Sequence, residues 1–153
     1  MKHLWRALLI VLVLSAFMPG RSAAQGISTQ TGGGQGAGLQ LGQNYPNPVN
    51  LDTRIPFIIG DAQSCVDSGR QHRVSLRIYN LLAQLVAVPV LQGGAGNAAG
   101  GESLDNLLLT CGQYTAYWDA KYSQTGEDVA SGIYLFRLEV DGKVLVKKLI
   151  VRK

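Results

Sequence analysis

Histidine, cysteine and charge are all scarce in this chain. Its 153 residues include two histidines and two cysteines, and 16% of them are charged. His3 stands at the extreme N terminus, which leaves His72 as the one imidazole for any folded region. A hydrolase needs a nucleophile, a base and an orienting group, and one histidine between Gln71 and Arg73 in a polar stretch reads as a solvated loop residue. Zinc needs about four ligands, and only Cys65, Cys111 and His72 are on offer. The apolar run from Ala7 to Phe17 is roughly half the length a membrane-spanning helix requires. The glycine runs carry no following Gly-Lys-Ser/Thr and open no helix, so they are not phosphate loops. No cofactor motif is present, and the expectation is a protein that is not an enzyme, holds no metal and takes no small-molecule substrate.

What the chain does have is apolar surface. Hydrophobic residues make up 46%, which excludes a wholly disordered polyelectrolyte. The formal charge is +4, but Lys2, Arg6 and Arg21 lie in a segment that reads as removable. Lys2, His3 and Arg6 precede the apolar run, Pro19-Gly20 breaks it, and Ser22-Ala23-Ala24 supplies small residues at a cleavage site. That order marks a secretory signal over 1–24. Without it the balance is 11 basic to 10 acidic residues, net +1. A near-neutral chain lacks the concentrated basic surface that nucleic acid requires, and no membrane span remains after cleavage. No cysteine sits beside the cleavage site, which disfavours a lipid anchor.

An oxidising compartment favours a bridge between Cys65 and Cys111. It would close a loop of 46 residues, for which chain entropy gives at most about 4 kcal/mol. Two buried free thiols, or half of a metal site, are the other readings of the pair.

Residues 25–38 (QGISTQTGGGQGAG) contain almost no large apolar side chain and read as a flexible lead. Apolar patterning runs from Leu39 to the end, so the folded unit is 39–153, with a mobile Gly-rich loop at 93–103. The period within it is two. Val74, Leu76 and Ile78 alternate with Arg73, Ser75 and Arg77; Tyr114, Ala116 and Trp118 alternate with Thr115 and Tyr117; Tyr134, Phe136, Leu138 and Val140 face away from Arg137 and Glu139. Asp141-Gly142 between 133–140 and 143–151 is a type I′ hairpin signal. Residues 85–90 read as one strand, 54–59 as an edge or bulged strand because of Pro56, 80–84 as a tight turn, and 104–109 as a short strand or helical turn. No helical stripe stands out. Six or seven antiparallel strands in about 115 residues predict an all-β sandwich.

Several motifs follow one another in a telling order. Leu41-Gly42-Gln43-Asn44-Tyr45-Pro46-Asn47-Pro48 is followed by Asp52-Thr53-Arg54-Ile55-Pro56-Phe57, then Leu76-Arg77-Ile78-Tyr79-Asn80 and Tyr117-Trp118-Asp119. Gly126 to Tyr134, with Ser131-Gly132, and Lys147-Lys148-Leu149-Ile150-Val151 complete the series. Together they resemble the C-terminal sorting domain (type A) of type IX secretion substrates, a family that overlaps in sequence with the immunoglobulin-like domain of the flagellar hook-capping protein. The resemblance covers 39–153. It implies an immunoglobulin-like sandwich of about seven strands, export to the periplasm, cell surface or medium, and secretion-machinery or envelope proteins as partners. It further implies recognition of the domain and cleavage by a sortase-like peptidase.

The sequence departs from that pattern in five places. Asn50-Leu51-Asp52-Thr53 stands where Asn-Pro-x-Thr is usual, and Leu82-Ala83 where Leu-Gly is usual. Stretches 61–72 and 92–111 are expanded, and each carries one cysteine. Residues 25–38 alone separate the signal from a domain that ordinarily follows a larger cargo.

Read residue by residue, the motif has plain structural meanings. Pro46 and Pro48 make a rigid lead-in to the first strand. Gly126 and Gly132 suit bends with positive φ, and Tyr79, Trp118 and Tyr134 are large packing groups. Asp119, Glu127 and Asp128 around Lys121 are a weak calcium candidate or, more simply, turn caps. Lys143, Lys147, Lys148, Arg152 and Lys153 discourage edge pairing, or form the recognised surface. Two functions follow: an export-sorting module, or a stand-alone binding or scaffolding module of the envelope.

Overall fold

The computed structural model describes residues 38–60, 65–67, 69–94 and 100–153. The predicted signal at 1–24, the lead at 25–37 and the tip of the Gly-rich loop at 95–99 lie outside them. Among the described residues, alternation builds nine strands: β1 (Leu39–Leu41), β2 (Thr53–Ile59), β3 (Gln71–Tyr79), β4 (Leu85–Ala87), β5 (Val90–Gly94), β6 (Leu107–Thr110), β7 (Gly112–Trp118), β8 (Gly132–Val140) and β9 (Lys143–Val151). Every named pairing between them is antiparallel. The described residues contain no helix.

Two sheets form. One runs β1-β2-β7-β5; the other runs β4-β3-β8-β9, with β6 also on β3. Strand β8 pairs with Val74 to Tyr79, so β6 (at Gln71 to Val74) and β4 (at Ile78 and Tyr79) follow one another along the opposite edge of β3. Because side chains alternate, each central strand gives one face to the interior. Ile55, Phe57, Ile59, Tyr114, Ala116 and Trp118 come from the first sheet, and Val74, Leu76, Ile78, Phe136, Leu138 and Leu149 from the second. Phe57 and Tyr114 stack at 5.5 Å. Each fully buried aliphatic or Phe side chain contributes about 1.5–3 kcal/mol. The fold is an all-β antiparallel sandwich.

Several sequence expectations are corrected by the structure. The described residues form nine strands rather than about seven, partly because Leu39–Leu41 forms a strand ahead of the proline motif. That motif is therefore a connection between β1 and β2, not a lead-in to the first strand. The single strand expected at 85–90 is two: β4 belongs to the second sheet and β5 to the first. The chain changes sheets at Val88-Pro89, where proline has no N–H for a ladder. Strand β5 then continues through Gly93 and Gly94, so the Gly-rich stretch is strand at its start, with a register shift between Leu91 and Gly93.

Pro56 is not at an edge, since β2 lies between β1 and β7. Its carbonyl accepts from the Gly42 amide at 2.8 Å. A residue in a strand directs its nitrogen and oxygen to the same side, so the missing donor faces the place where β1 has already ended. Gly132 opens β8 opposite Val151 and is not among the residues with positive φ, whereas Gly126 has φ 72°. Asp141 and Gly142 have φ 48° and 82°, as a type I′ turn demands.

The turn after β3 closes on Asn80, whose side-chain oxygen accepts from the Leu82 amide at 3.0 Å and the Gln84 amide at 2.9 Å. It requires Ala83 to adopt φ 59°, in the very position where the resembling family has glycine. A left-handed conformation costs a non-glycine residue about 1–2 kcal/mol, against about 0.4–1 kcal/mol of unfolded-state entropy that glycine adds. Ala83→Gly is therefore expected to raise the urea midpoint by the equivalent of about 0.5–1 kcal/mol at an unchanged slope. A lower midpoint would contradict the strain at Ala83.

Candidate functional site

The motif residues gather at one end of the sandwich. Thr53 begins β2, Trp118 ends β7, Tyr79 ends β3, Gly132 begins β8 and Val151 ends β9. The pairings Thr53–Trp118 and Gly132–Val151, with Trp118 against Tyr134 at 6.1 Å, bring these strand ends together. The 43–49 connection spans them. Asn44 is buried, and its amide nitrogen donates to the Thr53 hydroxyl at 3.0 Å and to the Pro46 carbonyl at 3.1 Å. The Thr53 hydroxyl donates to the same carbonyl at 3.0 Å. Tyr45 exchanges two backbone bonds of 2.9 Å with Arg54. Both X–Pro bonds of the motif, Tyr45-Pro46 and Asn47-Pro48, are cis.

The same connection closes the C-terminal part of the outer edge of β9. The Gln43 side-chain nitrogen donates to the Lys148 carbonyl at 2.9 Å, and the Asn47 side-chain oxygen accepts from the Ile150 amide at 3.0 Å. The Val49 amide donates to the Ile150 carbonyl at 2.7 Å, and the Arg152 amide donates to the Val49 carbonyl at 2.8 Å. Asn44 and Asn47 are thus holding groups, while Tyr45, Pro46 and Pro48 are exposed. Leu51, Leu81 and Leu82 are exposed at the same end, the last at 79%. Lys147 is half-buried and Lys148 exposed, on opposite faces of β9.

The remaining motif residues shape the loop before β8. Trp118 donates from its indole nitrogen to the Lys121 carbonyl at 2.9 Å, and Asp119 accepts from the Lys121 amide at 3.2 Å. Asp119 is a turn cap, and Asp128 pairs with Lys153 at 3.3 Å. Tyr134 donates its hydroxyl to the Ala130 carbonyl at 2.8 Å, four residues upstream, in the manner of the tyrosine corner of immunoglobulin-like domains. Burial, with Tyr122 close by, pushes its phenol above the ordinary value. Ser131 accepts from the Lys153 amide at 2.9 Å. Among the described residues no three His, Cys, Asp or Glu side chains converge as metal ligands would.

A second cluster occupies the opposite end, and sequence reasoning missed its centre. His72 is not a solvated loop residue: it lies in β3, 7% exposed. Its position among the inward-facing residues of β3 was already visible two places before Val74, but the polar neighbours on either side masked it. Nδ1 of His72 meets Asp141 Oδ2 at 2.7 Å, and Nε2 lies 3.7 Å from Cys111 Sγ. Cys111 is joined to Cys65, with Cα atoms 5.8 Å apart. Gly60, at φ 85°, lies so close to both sulfurs that a Cβ there would collide with them. A hollow of about 300 Å³ beside this group is lined by Gly60, Arg70, His72, Asp141 and Lys143. Burial alone would raise the Asp141 pKa. Hydrogen bonds from His72 and the Arg73 amide, with the charges of His72 and Arg70, outweigh it and hold the carboxyl below its ordinary value. A concavity of about 620 Å³ elsewhere, between Gln40, Pro56, Gln92 and Gln113, is lined among the described residues by no carboxylate, imidazole or amine.

No protein-family model and no curated protein matches the chain. Solved structures do. Dimeric latent PorU from Porphyromonas gingivalis aligns at 20% identity and TM-score 0.45, over 76% of this chain and 10% of that one. The alkylpurine DNA glycosylase AlkC from Pseudomonas fluorescens, bound to DNA containing an abasic site analog, aligns at 16% and 0.42, over 77% and 31%. This chain therefore spans a tenth to a third of those proteins, and likeness at that level carries no functional argument.

Two outcomes follow for stability. Asn44→Ala removes both donors from a buried network and is expected to cost about 1–3 kcal/mol in urea denaturation, while Tyr45→Ala, an exposed change, stays within about 0.5 kcal/mol; equal effects would contradict these assignments. A depressed carboxyl pKa stabilises the fold above the unfolded value and loses that contribution as pH falls through the folded one. Asp141→Asn is therefore expected to flatten the acid limb of the pH–stability curve, and an unchanged limb would contradict the His72–Asp141 contact.

Proposed function

We propose that this chain is a non-catalytic, exported β-sandwich that serves as a type IX secretion sorting module, recognised by secretion-machinery or envelope proteins. What supports the reading is one observation. Motif segments far apart in sequence lie at a single end of the sandwich, with Tyr45, Leu51 and Leu82 exposed there. Half the motif is spent holding that end together and the other half faces outward, which suits a surface read by another protein better than a catalytic cleft. A Cys65–Cys111 bridge is compatible with an oxidising, exported location.

A second reading has its own observation. Ile150 directs its amide and carbonyl away from β8, so the alternation of a strand directs those of Val144 and Val146 the same way, beyond the last strand of the sheet. Among the described residues no strand pairs with this part of the edge, and an edge of this kind accepts a partner strand, which suits a stand-alone envelope binding module.

The deciding experiment fuses residues 39–153 behind a signal-bearing reporter in a type IX-competent host. The reporter is expected at the cell surface or in the medium, and a folded Tyr45→Ala/Leu82→Ser double variant is expected to remain in the periplasm. Periplasmic retention of the parent fusion would contradict the sorting reading. Capture of an envelope protein by the wild-type domain in cells lacking the secretion system would favour the second.

A further inference from the structure

Part of the outer edge of β9 already serves as a strand acceptor within this chain. Val49 lies alongside Val151 in parallel, donating to the Ile150 carbonyl at 2.7 Å and accepting from the Arg152 amide at 2.8 Å. That coverage ends at the Lys148 carbonyl, which the Gln43 side chain occupies. Between there and the Asp141-Gly142 turn, Val144 and Val146 direct their backbone groups the same way as Ile150. No described strand pairs with them on that side, and they are 41% and 51% exposed. The result is a slot from Lys143 to Lys147, bounded by a turn at one end and by the proline-containing connection at the other.

The two faces of the slot differ. Alternation places Val144 and Val146 on the outer face of the sheet, and Lys143, Leu145 and Lys147 on the face that continues as buried Leu149 and Val151. Opposite the two valines on β8 stand Glu139 and Arg137, which pair with each other at 2.6 Å. Among the described residues Lys143 and Lys147 have no acidic partner. Like charges directly opposite destabilise a strand pair, and opposite charges support it. A second copy pairing antiparallel about Leu145 would set Lys143 against Lys147 twice. The lysines therefore turn away this chain's own edge.

Resting on the reading of β9 as an acceptor of a partner strand, we propose that the slot takes an extended segment of another protein in which two acidic residues bracket three apolar ones. The apolar residues lie beside Val144, Leu145 and Val146, and the carboxylates beside Lys143 and Lys147. The order acid–apolar–apolar–apolar–acid is the same read in either direction, so it serves a parallel or an antiparallel approach. Backbone hydrogen bonds hold the segment, and the lysines select it. The side chains that keep the edge from pairing with itself thus define what it admits.

The test titrates the full chain with three peptides of the form Ser-X-Val-Leu-Val-X-Ser, where X is Glu, Gln or Lys, and reads amide exchange at Val144 and Val146. The Glu peptide is expected to slow exchange at both amides and to bind on the order of tenfold more tightly than the Lys peptide at low salt. That preference shrinks as salt is raised. The Lys143→Glu/Lys147→Glu double variant is expected to reverse the order of affinities, with a native far-UV spectrum. Equal protection by all three peptides would leave β9 an acceptor and overturn the acidic selection. Binding of the Glu peptide without protection of Val144 and Val146 would overturn addition at the edge. Absence of protection by any of the three would overturn both the proposal and the acceptor reading beneath it. Self-association that by itself protects these amides would make a second copy the occupant, and the proposal would fall.

Discussion

The four hydrogen bonds between residues 43–49 and the outer edge of β9 are the contact on which the rest of the molecule depends. The connection belongs covalently to the first sheet, because it joins β1 to β2, yet Gln43, Asn47 and Val49 spend their polar groups on Lys148, Ile150 and Arg152 of the second. A sandwich has two open sides, and a free edge strand invites pairing with other chains. Here one side is latched along the last part of β9, with Asn44 and Thr53 buried beneath as the latch's support. Strand β7 is already held to β2 by their ladder, so the latch matters most for the ends of β8 and β9, which lie in the other sheet.

That latch also explains why the molecule has two ends of different character. At the latched end, polar side chains are used up internally and the exposed tips are Tyr45, Pro46, Leu51 and Leu82, which is a surface suited to contact. At the other end, the chain is tied covalently by Cys65–Cys111 and carries the concentrated ionisable chemistry of His72, Asp141, Arg70 and Lys143. The proposed recognition surface thus lies at the end of the sandwich opposite the covalent tie.

Much of the fold was legible because the period-two rows of β3, β7 and β8 are long and bury one face, so that a single register satisfies them. The Asp141-Gly142 turn was equally plain, since few dipeptides accept two positive φ values. Short strands were less so: three residues at Leu39–Leu41 or Leu85–Ala87 carry too little pattern, and their pairing is decided by partners distant in sequence. Pro56 misled because the rule concerns the direction of a missing donor, and direction depends on where β1 stops. The bridge could be argued from the oxidising compartment that a secretory signal predicts, but the His72–Asp141–Cys111 arrangement could not. It joins residues from β3, the β8–β9 turn and the approach to β7, and only the folded topology makes them neighbours.

Amide hydrogen exchange along β9 tests the latch most directly. Alternate amides on this strand face the outer edge, so Val144, Val146 and Ile150, with Arg152 just past the strand end, form an internal comparison along one edge. Slow exchange at Ile150 and Arg152, with fast exchange at Val144 and Val146, is the expected result. Uniform exchange across all four would contradict the claim that the proline-containing connection holds the two sheets together at that side.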